Sequence, residues 1–86
     1  MSELCRFHGI VIRIFNREHN PPHFHAVYGD DEALIEIETL DLYTGGLPPR
    51  QMRQVLEWAN ARQGELRVAW RRGRERRPMG KIAPLD

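Results

Sequence analysis

The sequence predicts an α+β fold in which an antiparallel sheet of three to four strands packs on one face against a long C-terminal helix. Short runs of β-branched and aromatic residues, alternating with polar ones, fill the first half of the chain and are typical of half-buried strands. In the second half, apolar residues recur at every third or fourth position, as on the buried side of a helix. With 86 residues, the chain is expected to form a single domain over 1–86.

The predicted strands are 7–15, 23–28 and 33–39, with 40–43 as either a fourth strand or an excursion at the sheet edge. Valine, isoleucine, phenylalanine and tyrosine dominate these runs, and such side chains pack well on a pleated surface. Pro21 and Pro22 lie between the first two strands. Proline cannot donate to a ladder and pushes the preceding residue out of helical geometry, so this segment is predicted to be a loop.

One long helix is predicted from about 49 to 72, followed by an irregular tail at 73–86. Pro49 favours a helix start. The N–H groups of the first helical turn have no partner within the helix, so the missing N–H of a proline costs no hydrogen bond there. The apolar stripe expected to face the sheet contains Met52, Val55, Leu56, Ala59, Leu66 and Trp70. The apolar residues after Gly64 fall on the same side of the helix as those before it. At Gly64 the helix is expected either to continue or to be kinked or broken.

The second and third predicted strands are expected to form a hairpin around a four-residue turn at 29–32. This turn pairs Phe24 with Ile37 and Ala26 with Ile35, so that an apolar face runs in register across both strands. A slip by one residue would move the isoleucines to the wrong face.

The same register places polar side chains together on the opposite face of the hairpin. His25 is predicted to lie opposite Glu36, and His23 opposite Glu38. Directly opposed side chains are close enough to share a hydrogen bond or a bound ion. These four residues are therefore the candidate catalytic set.

Charge is divided unevenly along the chain. Residues 1–46 contain three arginines and eight carboxylates, whereas residues 47–86 contain ten cations and four carboxylates. Six arginines crowd into one segment: Arg67, Arg71, Arg72, Arg74, Arg76 and Arg77. They are candidates for binding nucleic acid, and the alternative is a solvated helix end whose cations complement the helix dipole.

No apolar run approaches the roughly 20 residues that span a bilayer, and the start lacks the hydrophobic region of a signal peptide. We therefore expect a cytoplasmic protein with no membrane contact. Cys5 is the single cysteine, which excludes an internal disulfide and a thiolate zinc site. It is predicted to be a small buried apolar residue.

Three of the four histidines, His19, His23 and His25, flank the two prolines. Imidazoles two residues apart on a strand point to the same side, and Glu36 or Glu38 would complete a site for a divalent metal. The alternative is a solvated His–Glu surface. Because the spacing dictates no further ligand, the leading expectation is that the chain has no cofactor.

A metal-free catalytic site is a further alternative. A carboxylate beside His23 or His25 would orient the imidazole as a general acid or base. A nearby cation such as Arg13 or Arg17 would stabilise negative charge in the transition state. Small RNA-cleaving toxins use these groups, so a nuclease-type enzyme is one function that the sequence allows.

Three stretches carry a family resemblance: HNPPHFHAVYG at 19–29, EALIEIETL at 32–40 and LPPRQMRQVLEWA at 47–59. Together they resemble domain-of-unknown-function family 4160, a group of small prokaryotic proteins. Genes of this family often lie beside a second small gene, as in toxin–antitoxin pairs. The resemblance implies a binding or regulatory component of a two-protein module, whose partner is a neighbour-encoded protein, a second copy, or both.

Overall fold

The computed structural model describes residues 2–86, which form five strands and two helices. The elements are β1 (Ser2–Phe7), β2 (Ile10–Ile14), β3 (His23–Tyr28), β4 (Asp31–Glu36), β5 (Leu42–Gly45), α1 (Pro49–Ala61) and α2 (Gln63–Arg74). All strands belong to one antiparallel sheet in sequence order. The α+β class is confirmed, whereas the expected three to four strands and single long helix are wrong.

The predicted first strand, 7–15, is in fact the end of one strand and the whole of the next. β1 and β2 form a hairpin closed by the Phe7–Ile10 pair, with His8 and Gly9 as its turn. Both turn residues have positive φ, 50° at His8 and 79° at Gly9, as a type I′ turn requires. Only Gly9 marks this turn in the sequence, so the run looked like one strand.

The β3–β4 hairpin has a two-residue turn, not the predicted four-residue turn. Tyr28 pairs with Asp31, which leaves only Gly29 and Asp30 between the strands. Gly29 has φ of 60°, and glycine at the first turn position is typical of a type II′ hairpin. The register is therefore displaced by two residues, and each side chain keeps its predicted face.

This displacement changes which residues lie opposite the histidines. His23 pairs with Glu36, and His25 pairs with Leu34. The predicted partners, Glu38 for His23 and Glu36 for His25, are therefore wrong. Glu38 lies beyond the end of β4 and is exposed.

β4 ends at Glu36, earlier than the predicted 39, because the chain turns there. The N–H of Leu40 donates to the Glu36 carbonyl at 2.9 Å, and Leu40 has φ of 61°. The chain then returns as β5, an edge strand that is exposed along its length and includes Leu42 and Tyr43. The sequence left 40–43 as either a further strand or an excursion at the sheet edge. The further strand is confirmed, but it lies two residues later, at Leu42–Gly45.

The core lies between the sheet and the two helices. The predicted apolar face of the hairpin is fully buried, which confirms it: Phe24, Ala26, Ile35 and Ile37. From the helices, the buried residues are Val55, Trp58, Ala59, Leu66, Ala69, Trp70 and Gly73. The sheet thus directs alternate β3 side chains into this core and the others, including both β3 histidines, to the opposite side.

A break at Arg62 separates the two helices. Arg62 has φ of −122°, and its N–H donates to the carbonyl of Ala59, three residues back. The prediction of one helix from 49 to 72 is therefore wrong, and Gly64 lies inside α2. An unbroken helix over 49–74 would measure about 39 Å, whereas the longest dimension of the molecule is 34 Å. Neither helix in residues 2–86 has the length and apolar character needed to cross a bilayer.

The tail after α2 folds back onto the first strand. The N–H of Ile82 donates to the Leu4 carbonyl at 3.0 Å, and the Trp58 indole N–H donates to the Ala83 carbonyl at 2.8 Å. Ile82 is buried and Leu85 is half-buried. The tail therefore seals one end of the core.

Two glycines should respond oppositely to replacement by alanine. Gly64→Ala should raise the free energy of unfolding by about 0.5–1 kcal/mol, because a Cβ there meets nothing within 4 Å. Gly45→Ala should lower it by about 1 kcal/mol or more, since Gly45 has φ of 77° and a Cβ would overlap the Glu32 carbonyl. Urea unfolding of both variants measures the difference, and equal effects would contradict the structure.

Cys5 should be unreactive in the folded protein. It is 8% exposed, as predicted, and burial raises the pKa of its thiol from 9.0 to about 11. Because the thiolate is the reactive form, labelling by DTNB at pH 8 should be slow until urea unfolds the chain. The raised pKa favours the folded state below pH 9, and this contribution is lost as the pH rises through about 11. Equal labelling rates with and without urea would refute the burial.

Candidate metal centre

One strand and the loop before it bring together His23, His25 and Glu18. The two histidines lie two residues apart on β3, so their rings point to the same side of the sheet. Glu18 lies in the loop between β2 and β3, which contains a cis Asn20–Pro21 bond. One potential ligand atom from each of the three lies within 4.8 Å of the others. Two imidazoles and one carboxylate therefore converge.

Both ring nitrogens of His25 contact carboxylates. Nε2 lies 2.6 Å from Oε1 of Glu18, and Nδ1 lies 2.9 Å from Oε2 of Glu32. Glu32 reaches the ring from β4, where it pairs with Val27, so it lies diagonally across from His25. A carboxylate oxygen only accepts, so both nitrogens donate when the ring carries two hydrogens. His25 is thus held at both ends.

His23 has one satisfied nitrogen and one unsatisfied nitrogen. The residue is 3% exposed, and its Nδ1 lies 2.8 Å from the carbonyl oxygen of Pro21. Because a carbonyl only accepts, Nδ1 carries the hydrogen, and Nε2 of the neutral ring presents a lone pair.

That Nε2 atom lies 3.3 Å from Oε2 of Glu18, within ion-pair distance. Yet the geometry is not that of a hydrogen bond, and Nε2 of His23 has no such partner anywhere in residues 2–86. In the neutral ring, a buried lone pair therefore faces a carboxylate oxygen. Two acceptors in this position repel each other, and a cation between them would reverse that interaction.

Aromatic rings surround the two imidazoles. The Phe15 ring centroid lies 4.5 Å from that of His25, in an edge-on arrangement. Trp70 and Tyr43 lie 5.4 Å and 5.7 Å from His23. These rings restrict water and lower the local dielectric constant, which strengthens electrostatic interactions at the cluster.

The structure brings together only part of the predicted metal and catalytic set. His23 and His25 are adjacent, whereas His19 is exposed and lies outside the cluster found among residues 2–86. Glu36 lies opposite His23, but in the described chain its carboxylate makes no hydrogen bond to that ring. Glu38 is directed elsewhere, to Arg67.

Sequence reasoning missed Glu18 and Glu32. A two-residue turn at 29–30 would have placed Glu32 in the third strand, on the same side as His25, and the glycine at 29 was the available signal. Glu18 lies in an irregular loop, so periodicity could not indicate where it points. Its position five residues before His23 was the only trace in the sequence.

The predicted nucleic-acid-binding residues lie on α2 and in the segment that follows it; Arg67 is near the middle of the helix, and the other five are at its end or beyond it. They are Arg67, Arg71, Arg72, Arg74, Arg76 and Arg77, and all but Arg72 are exposed. Arg67 donates to Glu38 at 2.7 Å, and Arg77 donates to Glu75 at 3.2 Å. The hydrogen bond between Arg67 and Glu38 lowers the pKa of the carboxyl and raises the pKa of the guanidinium. Two of the six charges are therefore partly neutralised.

A family model described as Domain of unknown function (DUF4160) matches residues 9–71. The chain belongs to this family. The resemblance inferred from the three sequence stretches is thereby confirmed, and the matched range of the DUF4160 domain includes Glu18, His23 and His25. Comparisons with curated proteins and with solved structures give no match.

In EDTA-treated DUF4160 protein, the neutral His23 ring should carry its hydrogen on Nδ1, because the Pro21 carbonyl lies 2.8 Å from that atom. Long-range ¹H–¹⁵N correlation spectra distinguish the two imidazole tautomers. His19, which is exposed, serves as the control and should show exchange between tautomers. A hydrogen on Nε2 of neutral His23 would contradict the geometry.

Proposed function

We propose that this chain binds a first-row divalent transition-metal ion, such as zinc, through Nε2 of His23, Nε2 of His25 and the carboxylate of Glu18. The observation that carries the proposal is the buried Nε2 of His23, which faces Glu18 at 3.3 Å without a hydrogen bond in the described chain. A buried polar atom left unpaired costs about 1–3 kcal/mol. A bound cation would accept the lone pair and remove this cost.

The outer ring nitrogens support the same proposal. A metal-bound histidine usually donates its second N–H to a carboxylate or a backbone carbonyl, which fixes the ring. Nδ1 of His25 lies 2.9 Å from Glu32, and Nδ1 of His23 lies 2.8 Å from the Pro21 carbonyl. Each imidazole is therefore oriented with Nε2 towards Glu18.

The ligand set favours zinc or a similar ion. Imidazole nitrogens suit transition metals, whereas magnesium and calcium prefer oxygen alone. Two zinc–ligand bonds at the tetrahedral angle separate their ligand atoms by about 3.3–3.4 Å. Nε2 of His23 is 3.3 Å from Oε2 of Glu18, whereas Nε2 of His25 is 2.6 Å from Oε1 of Glu18 and would exchange that hydrogen bond for the metal. Three protein ligands leave a coordination position for water or a further ligand, as in catalytic rather than structural zinc sites.

A metal-free ion-pair network is the competing explanation for these contacts. In that network, a doubly protonated His25 bridges Glu18 and Glu32, and both of its hydrogen bonds are accounted for. The network leaves Nε2 of His23 buried and unpaired within residues 2–86. A metal ion would bind Nε2 of His23 as well as Nε2 of His25, so we favour metal binding over the metal-free network.

The other predicted functions are supported less directly. Nuclease chemistry without a metal would require a free imidazole nitrogen that a substrate can reach. Both nitrogens of His25 face carboxylates, and the unpaired Nε2 of His23 belongs to a residue that is 3% exposed. A role in a two-protein, toxin–antitoxin-like module stays a prediction from the family resemblance. Polyanion binding at Arg67–Arg77 and a cytoplasmic location also stay predictions.

Untagged protein should bind about one equivalent of zinc, and the three ligands should be needed for it. His23→Ala and Glu18→Gln should each weaken zinc binding by about 100-fold or more, since each removes one of three ligands. Elemental analysis gives the stoichiometry, and calorimetric titration against a competing chelator gives the affinity. Zinc affinity that is unchanged in both variants would refute the proposal.

Matched glutamate variants distinguish the ligand from its neighbours. Glu36→Gln and Glu38→Gln, at the positions that the sequence suggested, should leave zinc affinity unchanged. Glu32→Gln should lower it by about 10–100-fold, because an outer hydrogen bond to His25 is weakened while the three ligands remain.

A further inference from the structure

A polar groove adjoins the candidate metal centre. It has a volume of about 400 Å³ and is lined by Arg17, Glu18, His19, Asn20 and Arg74. These residues come from the β2–β3 loop and the last residue of α2. Glu18 belongs both to the groove and to the cluster with His23 and His25, so the groove and the candidate metal centre share this residue.

Two guanidinium groups line the groove without a carboxylate partner. Across residues 2–86, Arg17 makes neither an ion pair nor a side-chain hydrogen bond, and the contact made by Arg74 is with the Asn20 side chain at 3.5 Å. Elsewhere in residues 2–86, four arginines pair with carboxylates and six do not, so what distinguishes Arg17 and Arg74 is that both line one groove. The groove therefore holds two guanidiniums and one carboxylate, Glu18, and the two guanidiniums are not paired with a carboxylate.

The backbone of Arg17 is also unusual. Its φ of 61° lies in the left-handed region, which glycine adopts readily and other residues adopt at a cost. A backbone outlier next to a site is a reason to test the side chain for a role there. His8, Leu40 and Arg76 share this backbone region, and among the four only Arg17 lines the groove, which makes it the one to test there.

We propose that this groove binds the phosphoryl group of a small polar phosphate ester, held by Arg17 and Arg74 and reaching the metal beside Glu18. The last part rests on the proposed metal function. Two guanidiniums outnumber the single carboxylate of the groove, Glu18, and their planar donors match the oxygens of a phosphoryl group in a bidentate manner. The volume lies in the range of small-molecule sites.

The lining also indicates what the phosphate is attached to. None of the groove residues in the described chain has an apolar side chain, whereas the His19 ring and the two guanidinium planes are flat groups of the kind on which nucleobases stack. A polar body such as a sugar therefore fits the groove better than an acyl chain. A sugar phosphate is the simplest ligand with this chemistry.

Calorimetric titration of inorganic phosphate and of glucose 6-phosphate tests the proposal on both zinc-loaded and EDTA-treated protein. Arg17→Gly and Arg74→Gln should each weaken binding by about tenfold or more, since each removes a charged hydrogen-bond donor. Arg53→Gln is the control, because Arg53 is exposed on α1 and does not line the groove. Arg17→Gly should keep or raise the melting temperature, because glycine suits the backbone at position 17.

The outcomes separate this proposal from the metal proposal. If zinc binds but the groove variants do not change phosphate affinity, the groove assignment is overturned and the metal site stands. If zinc does not bind, EDTA-treated protein still decides the groove: loss of phosphate binding in both variants supports it, and equal binding overturns it. An oligonucleotide that binds through Arg17 and Arg74 while both phosphate probes fail would overturn the assignment to a small ester.

Discussion

Burial of two β3 side chains fixes the candidate centre. Phe24 and Ala26 are fully buried in the core, so the strand cannot rotate without exposing them. Because successive side chains on a strand point to opposite sides, His23 and His25 must then face away from that core. β3 also has a paired strand on each side, β2 and β4. The two imidazoles are thus held by hydrophobic packing on the other side of the sheet and by two backbone ladders.

The alternation of β3 and β4 allowed the sequence to predict which side each residue faces, but not its partner. A displacement by two residues keeps every side chain on its side, so the apolar pattern is the same in both registers. Turn length decides between them, and it depended on the conformation of Gly29. For the same reason, the sequence identified both histidines of the cluster and assigned them to the wrong glutamates.

Contacts made by irregular segments could not be predicted in the same way. Glu18 lies in a loop, where no periodic pattern relates position in sequence to direction in space. The break at Arg62 was equally hidden, because the buried residues of α2 continue the spacing set by α1. Charge counts for the late arginines could not show that Arg67 pairs with Glu38, since that pair joins residues far apart in the chain. Each of these features depends on tertiary contacts rather than on local sequence.

The position of Trp70 gives the candidate centre an optical property of its own. Its ring lies 5.4 Å from His23, whereas the second indole, Trp58, packs against Phe7 and Phe24. Paramagnetic ions such as copper or cobalt quench an excited indole over such short separations. Fluorescence from Trp70 would therefore sense occupancy at His23, so that no attached dye is needed.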